Sequence, residues 1–134
     1  MKLSHAVRYA LQALVYMANE TDGQLVASHV VAEAKGIPEL FLLKVLKMLV
    51  SARILQSLKG PSGGYRLARP ANEISMLEIL EAVDGPIRGQ APLLEENNGP
   101  LNQKLEDICK QSADQVKKHL AKVRMSDLIS GRSR

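Results

Sequence analysis

Apolar residues recur with the spacing of an α-helix at the start of the chain. After Ser4, a residue type that caps helices, they stand at Val7, Leu11, Leu14, Val15 and Ala18. This pattern predicts a helix that begins after Ser4 and ends near Asn19, before the turn residues Thr21-Asp22-Gly23.

Two more helices are predicted in close succession. The second runs from about Ala27-Ser28 to Gly36, and the third runs from Pro38 to about Arg53. Pro38 suits the first position of a helix, and Glu39 is favourable near its positive end. A turn as short as Gly36-Ile37 is typical of a helix-turn-helix motif.

The third predicted helix has two different faces. Its buried stripe would consist of Leu42, Val45, Leu46 and Leu49, and its opposite face carries Leu40, Leu43, Lys44 and Lys47. Such leucines and lysines could meet thymine methyl groups and phosphates in a major groove of DNA. The alternative is that Leu40 and Leu43 pack against a neighbouring element.

A β-hairpin is predicted directly after this helix. Residues 54–58 and 65–67 have the composition of strands, and the segment between them includes Lys59, Ser62, Gly63 and Gly64. Glycine lets a backbone approach a ligand closely, and Lys and Arg neutralise phosphates. The hairpin therefore resembles the wing of a winged-helix DNA-binding protein, with bare backbone amides and positive charge at its tip.

The C-terminal half predicts two more helices and a long loop. Ser75 and Glu78 have the spacing of a capping box, and Asp84-Gly85-Pro86 ends the helix that follows. Residues 85–100 contain three Pro, three Gly and two Asn, which indicates a loop. The last helix is predicted over Leu101 to Val123, and a short turn over Ser126 to Ile129 is expected to pack back.

One face of the last predicted helix is apolar. Its stripe consists of Leu101, Leu105, Ile108, Val116, Leu120 and Val123. A helix this long, after a small domain, has little core of its own to cover, so we expect it to pair with the same helix of a second subunit.

These elements predict a mainly α fold, of the α+β winged-helix type. Residues 1–84 would form the winged helix-turn-helix DNA-binding domain, residues 85–100 a loop, and residues 101–134 the dimerisation helix and C-terminal tail.

The charge of the chain is unevenly distributed. Residues 1–69 hold nine Lys and Arg against four Asp and Glu, whereas residues 70–134 hold nine against ten. The excess positive charge therefore lies in the half that carries the helix-turn-helix and the hairpin, which favours nucleic acid as a partner.

Cys109 is the only cysteine, which excludes an intramolecular disulfide and fits a reducing cytoplasm. No apolar run approaches the roughly 20 residues that span a membrane.

Several short motifs together resemble one family. They are Arg8-Tyr9-Ala10-Leu11, Gly36-Ile37-Pro38, residues 63–70, Ile74-Ser75 and residues 82–86. The chain resembles the Rrf2 family of bacterial winged-helix transcription regulators over essentially its whole length, most specifically from Lys59 to Pro86.

The resemblance implies a homodimer that binds double-stranded DNA at a near-palindromic site. Our own first interpretation is a sequence-specific regulator that acts as a repressor by occupying a promoter. Two recognition helices would enter successive major grooves, and the pairing would be through the C-terminal helix. Base contacts would come from Pro38, Glu39, Leu40, Leu43, Lys44 and Lys47. The wing would contribute Lys59, Ser62, Gly63, Gly64, Tyr65 and Arg66, and Arg8 would contact a phosphate. Arg69 is a further candidate for phosphate neutralisation.

Two departures from the family pattern change these expectations. Many members carry an acidic or amide side chain where this chain has Leu43, so the base preference of the family does not transfer. Members that bind an iron–sulfur cluster carry three cysteines in the segment equivalent to residues 85–110, and this chain has Cys109 alone. One thiolate cannot hold such a cluster, so we expect no cofactor.

The sequence does not identify the signal to which the protein responds. Cys109 could be a redox-active thiol or a small apolar residue at a helix interface. His5, His29 and His119 lack the spacing of a metal site. The loop after residue 85 could line a pocket for a small effector.

Two other classes of function compete with DNA binding. A winged-helix dimer could use Leu40 and Leu43 to bind a protein partner instead of DNA. An enzyme is not indicated, because no nucleophile–base pair, paired carboxylates or phosphate-binding loop is present.

Overall fold

Five helices and one hairpin make up the computed structural model, which describes residues 1–21, 23–91, 94 and 99–129. Helices α1 to α5 are His5–Glu20, Ser28–Lys35, Glu39–Ser51, Met76–Asp84 and Pro100–Lys122. Strands β1 and β2 are Leu55–Leu58 and Gly64–Leu67, and short 3-10 helices span Ala71–Glu73 and Met125–Leu128. The mainly α winged-helix fold predicted from the sequence is confirmed.

Two predicted helix caps are present. The Ser4 hydroxyl accepts a hydrogen bond from the Val7 N–H at 3.1 Å, and α1 begins at the next residue. The Ser75 hydroxyl accepts from the Glu78 N–H, and the Glu78 carboxylate accepts from the Ser75 N–H. Both caps satisfy N–H groups that the first turn of a helix leaves unpaired.

The turn between α2 and α3 depends on Gly36. Its φ of 65° is left-handed, a conformation that favours glycine, and its N–H donates to the carbonyl of Ala32. Pro38 precedes α3 instead of starting it, which corrects the sequence prediction by one residue. Its ψ of 124° is not helical, although its carbonyl accepts from the Leu42 N–H.

The main core lies where α1, α3 and α4 meet. All four residues predicted as the buried stripe of α3 (Leu42, Val45, Leu46 and Leu49) are fully buried in it. The buried face of α1 consists of Val7, Ala10, Ala13, Leu14 and Met17. Three members of the α1 stripe predicted from the sequence, Leu11, Val15 and Ala18, are only half-buried.

The hairpin is joined to the helices through a bridge to Val26. Strands β1 and β2 are antiparallel, with Leu55 opposite Leu67 and Leu58 opposite Gly64. Val26 and Tyr65 exchange backbone hydrogen bonds of 2.9 and 2.8 Å. Because Val26 lies just before α2, this bridge ties the wing to the helix-turn-helix.

The chain returns to the domain after α5. The Met125 N–H donates to the Ile74 carbonyl, the Met76 N–H donates to the Val123 carbonyl, and Met125 is fully buried. The predicted turn near Ser126 therefore does pack back, and residues 130–134 of the predicted tail lie outside the described residues. In the described ranges, no helix combines the length and the apolar character needed to cross a membrane.

Candidate nucleic-acid interface

The outward face of α3 carries an exposed leucine and two exposed lysines. Leu40 is 79% exposed, and Lys44 and Lys47 are exposed as well. Neither lysine forms an ion pair within the described ranges. Leu43, one turn further along the same helix, is half-buried and therefore less accessible than Leu40.

Phe41 is a residue of this region that the sequence analysis did not assign. The residue is 41% exposed, and its ring meets the ring of Tyr9 edge to face, with centroids 5.3 Å apart. Tyr9 in turn lies beside His5, whose Nδ1 is 3.3 Å from the Arg8 guanidinium. These contacts connect Arg8, a predicted phosphate contact on α1, to the start of α3.

Glu39 is held at the beginning of α3 by α2. Its Oε2 accepts a hydrogen bond of 3.1 Å from the hydroxyl of Ser28. The carboxylate therefore neutralises part of the positive end of α3 and has a fixed position there. Ser28 was not predicted as a site residue, because its partner lies 11 positions away.

The tip of the hairpin exposes two predicted site residues. Lys59 and Ser62 are exposed, and Lys59 has no ion-pair partner in the described part of the chain. The Gly63 N–H is not bare as predicted, because it donates to the Gly60 carbonyl at 3.0 Å and closes the turn.

Gly63 and Gly64 are required by close packing of the backbone. A Cβ on Gly63 would lie 2.1 Å from the Leu58 carbonyl oxygen, and one on Gly64 would lie 2.5 Å from that of Val26. The half-buried Tyr65 also uses its backbone N–H and C=O for the bridge to Val26. The glycines therefore have a structural role in the wing, whatever they contact outside it.

Arg66 lies on β2 and is directed along the hairpin by Gln56. The Arg66 Nε donates to the Gln56 side-chain oxygen at 2.8 Å, and the two residues are paired across the strands. The terminal nitrogens of Arg66 have no partner within the described ranges. The side chain is thus positioned while part of its charge stays available.

The structure divides the apolar stripe predicted on α5. Leu120 is buried against Val7 and Leu80 of the same chain, and Val116 packs beside it. Leu101 and Ile108 are 47% and 58% exposed. Leu105 and Val123 are half-buried. The C-terminal part of the stripe thus covers the domain, and its N-terminal part faces outward.

The donor set of the chain does not fit an iron–sulfur cluster. Cys109 is the only cysteine in the sequence and is half-buried on α5, whereas a cluster needs about three thiolates or equivalent ligands. Over the described residues, no three His, Cys, Asp or Glu side chains are grouped so that they could hold a metal ion.

Similar proteins are transcription regulators. The chain is 40% identical over 87 residues to two candidate HTH-type transcriptional regulators of Mycobacterium tuberculosis. That match covers 65% of this chain and about half, 54%, of theirs. This chain is also 30% identical to the HTH-type transcriptional regulator IscR of Cereibacter sphaeroides, over 100% of its own length and 90% of that protein.

Solved structures share the fold. The structure of CymR, the global cysteine regulator of B. subtilis, superposes with a TM-score of 0.76 at 25% identity over 97% of both chains. The oxidized form of CymR from Staphylococcus aureus superposes with a TM-score of 0.73 at 25% identity, over 100% of both chains. Residues 3–131 match the Rrf2 family, described as iron-dependent transcriptional regulators. The chain is therefore a member of the Rrf2 family of transcription regulators.

Proposed function

We propose that the protein is a sequence-specific DNA-binding repressor that occupies a near-palindromic operator as a homodimer, without an iron–sulfur cluster. The observation that carries this proposal is a set of cations on α3 and the wing for which the described part of the chain offers no ion-pair partner. Lys44, Lys47 and Lys59 are exposed and form no ion pair within the described ranges. Unpaired cations on a helix-turn-helix and its wing suit a phosphate backbone.

Base contacts would come from the start of α3. Leu40 is exposed where a thymine methyl group could meet it, and Glu39 is held by Ser28 so that its carboxylate has one position. Phe41 would set the orientation of α3 relative to α1 through its contact with Tyr9. Pro38 and the half-buried Leu43 would lie at the edge of this surface.

The wing would contact the DNA backbone and minor groove. Lys59 and Ser62 would meet phosphates at the tip, and Gly63, Gly64 and Tyr65 would hold the hairpin in shape. Arg66 would reach from the strand, and Arg8 would add a phosphate contact from α1. With about four phosphate contacts in each of two subunits, log K should fall with log salt at a slope near −7.

Selection of genomic fragments by the purified protein tests this function. Fluorescence anisotropy on the enriched fragment would then compare wild type with Lys59→Ala/Arg66→Ala at several salt concentrations. Lys104→Ala/Lys118→Ala is the matched control, because it removes the same charge from exposed positions on α5.

We expect the wing variant to bind more weakly with a slope near −3.5, and the control to keep a slope near −7. Failure to enrich any fragment, or equal slopes for all three proteins, would contradict DNA recognition by the wing.

The exposure of Leu40 also favours a second candidate, a winged-helix dimer that binds a protein partner. At 79% exposure, this leucine is the most exposed of three large apolar side chains on α3, with Phe41 and Met48, and would be a suitable anchor. Leu40→Ala distinguishes the two functions, because a DNA-binding protein should change its base preference at one position of each half-site. A protein-interaction module would instead show no fragment enrichment with either form.

A further inference from the structure

A cavity of about 440 Å³ lies between the end of α4, the segment that follows it and α5. Its apolar wall is formed by Leu3, Leu80, Ile87, Ala113 and Val116. The volume is within the range of small-molecule sites, which is roughly 300–1,000 Å³. Every apolar side chain in this wall is aliphatic, so the cavity suits a flexible aliphatic group better than a ring that needs aromatic stacking.

The walls of the cavity are fixed by specific contacts. The Glu81 carboxylate accepts from the Ile87 N–H at 3.0 Å, which holds the start of the segment after α4. Further along, Gly89 passes so close to α5 that a Cβ on it would lie 2.3 Å from the Cys109 carbonyl oxygen. The Asp84 carboxylate accepts from the Ser4 hydroxyl at 2.9 Å, which keeps residues 1–3 beside the cavity.

The charged groups around the cavity favour an anion. Lys2 and Arg88 line it, and neither forms an ion pair in the ranges that the structure describes. Among the described residues that line the cavity, Asp84 alone carries a carboxylate, and its hydrogen bond with Ser4 already occupies it in part. The rim thus offers two cations that no described carboxylate pairs with, above an aliphatic wall.

The cavity is on a different side of α5 from the exposed stripe. At 100° per residue, Cys109 and Ala113 lie within about 20° of the direction of the buried Leu120. Ile108 points about 100° away from Cys109 on the same helix. A second subunit that covered Leu101 and Ile108 would therefore leave the cavity between α5 and its own domain.

We propose that this cavity binds a small aliphatic carboxylate, with the carboxylate at Arg88 and Lys2 and the chain against Leu80, Ile87 and Val116. The bound molecule would also cover the thiol of Cys109. Octanoate is a suitable probe, because its ten non-hydrogen atoms need roughly 300 Å³ at about 30 Å³ for each water-sized group.

The position of the cavity couples it to the DNA-binding surface. Leu80 and Val116 belong to the apolar cluster that contains Val7 of α1. The Asp84 carboxylate accepts a hydrogen bond from the Ser4 hydroxyl, and Ser4 caps α1, the helix that carries Arg8. Occupancy of the cavity should therefore change the position of α1 and with it the affinity for DNA. This regulatory role rests on the proposed DNA binding, whereas the binding of a ligand in the cavity does not depend on it.

The single thiol gives a direct test. Because Cys109 is the only cysteine, its alkylation by iodoacetamide reports on this cavity alone. We expect saturating octanoate to slow alkylation of the wild type about fivefold or more, since a bound ligand excludes the reagent from the half-buried thiol. Arg88→Ala should need about tenfold more octanoate for the same protection, because it loses a charge-assisted hydrogen bond. Lys104→Ala, which removes an exposed charge elsewhere on α5, should behave as wild type.

Further variants and ligands make the outcome decisive. Ala113→Phe should fill the cavity and abolish protection, with thermal unfolding used to verify that it is folded. Octan-1-ol, which lacks the charge, should protect about tenfold less well than octanoate. Absence of protection in the wild type, equal protection by octanol, or an unchanged Arg88→Ala would each overturn the proposal.

The same samples separate the site from the proposed function. We expect octanoate to change the DNA dissociation constant of the wild type about threefold or more, and that of Arg88→Ala much less. An unchanged constant would overturn the regulatory role. A protein that binds octanoate and no DNA would refute the proposed function while the binding site stands.

Discussion

The Arg69 guanidinium lies 2.5 Å from the Glu78 carboxylate, and this pair joins the end of the wing to the start of α4. The same guanidinium donates to the Arg53 carbonyl at 3.1 Å and to the Glu73 carbonyl at 2.9 Å. Arg53 has a φ of 62°, a left-handed conformation unusual outside glycine, at the exit from α3. Arg69 therefore holds the wing and α3 in a fixed relationship, a structural role beside the phosphate contact that the sequence analysis considered for it.

Arg69→Ala should weaken DNA binding without changing its salt dependence. The variant loses three intramolecular hydrogen bonds, so the wing would be less well positioned and the protein about 1–2 kcal/mol less stable, given the partial exposure of the pair. The slope of log K against log salt should stay that of the wild type. Lys59→Ala, by contrast, should make the slope about 1.8 less negative, because each subunit would neutralise one phosphate fewer. A reduced slope for Arg69→Ala would mean that Arg69 contacts DNA directly.

The stability of the protein should depend on the ionisation of Glu78. Burial tends to raise the pKa of this carboxyl, but the hydrogen bonds from Arg69 and Ser75 and the Arg69 charge together bring its pKa below the ordinary 4.5. A lowered pKa in the folded state means that the contribution to stability is present above about pH 4.5 and is lost as the pH falls through the folded-state pKa.

Thermal unfolding of wild type and Glu78→Gln between pH 3 and 7 measures this contribution. We expect the wild type to be more stable by about 1 kcal/mol or less at neutral pH, because both side chains are partly exposed. The difference should shrink toward the acid end. A constant difference across this range would show that the carboxylate charge has no part in it.

The hairpin should tolerate alanine at one glycine and not at another. Gly64 combines a φ of 148° with close approach to the Val26 carbonyl, whereas Gly60 has a φ of 110° and a Cβ added to it would meet nothing within 4 Å. Gly64→Ala should therefore cost about 3 kcal/mol of unfolding free energy, and Gly60→Ala about 1 kcal/mol from backbone strain alone. Urea denaturation of the two variants gives both values. Equal losses would mean that the contact with Val26 relaxes without cost.

Local chemistry made most of the fold predictable from sequence. The caps at Ser4 and Ser75 and the left-handed Gly36 act within a few residues, so the sequence alone indicates where these helices begin or end. The stripe of α3 was predictable because its leucines and valine follow the helical repeat without interruption.

Long-range contacts account for what the sequence could not reveal. The bridge between Val26 and Tyr65 and the bond between Ser28 and Glu39 join positions on different elements, and no spacing rule encodes them. The same holds for Arg69, because the sequence gives no sign of the three acceptors that the fold brings to it. Periodicity also could not separate the part of α5 that covers its own domain from the part that faces outward.

This division of α5 predicts which substitution should separate two subunits. Ile108 is 58% exposed in the outward part of the stripe, so a charge there would be buried in the proposed dimer and leave the single chain folded. Ile108→Glu should shift the protein toward monomers in analytical ultracentrifugation, because an unpaired carboxylate in an apolar interface is costly.

Gln103→Glu is the matched control, since it places the same charge at an exposed position about 140° around the helix. DNA affinity should fall with the loss of the second half-site in Ile108→Glu alone. A dimeric Ile108→Glu protein with wild-type DNA affinity would show that the subunits pair through another surface.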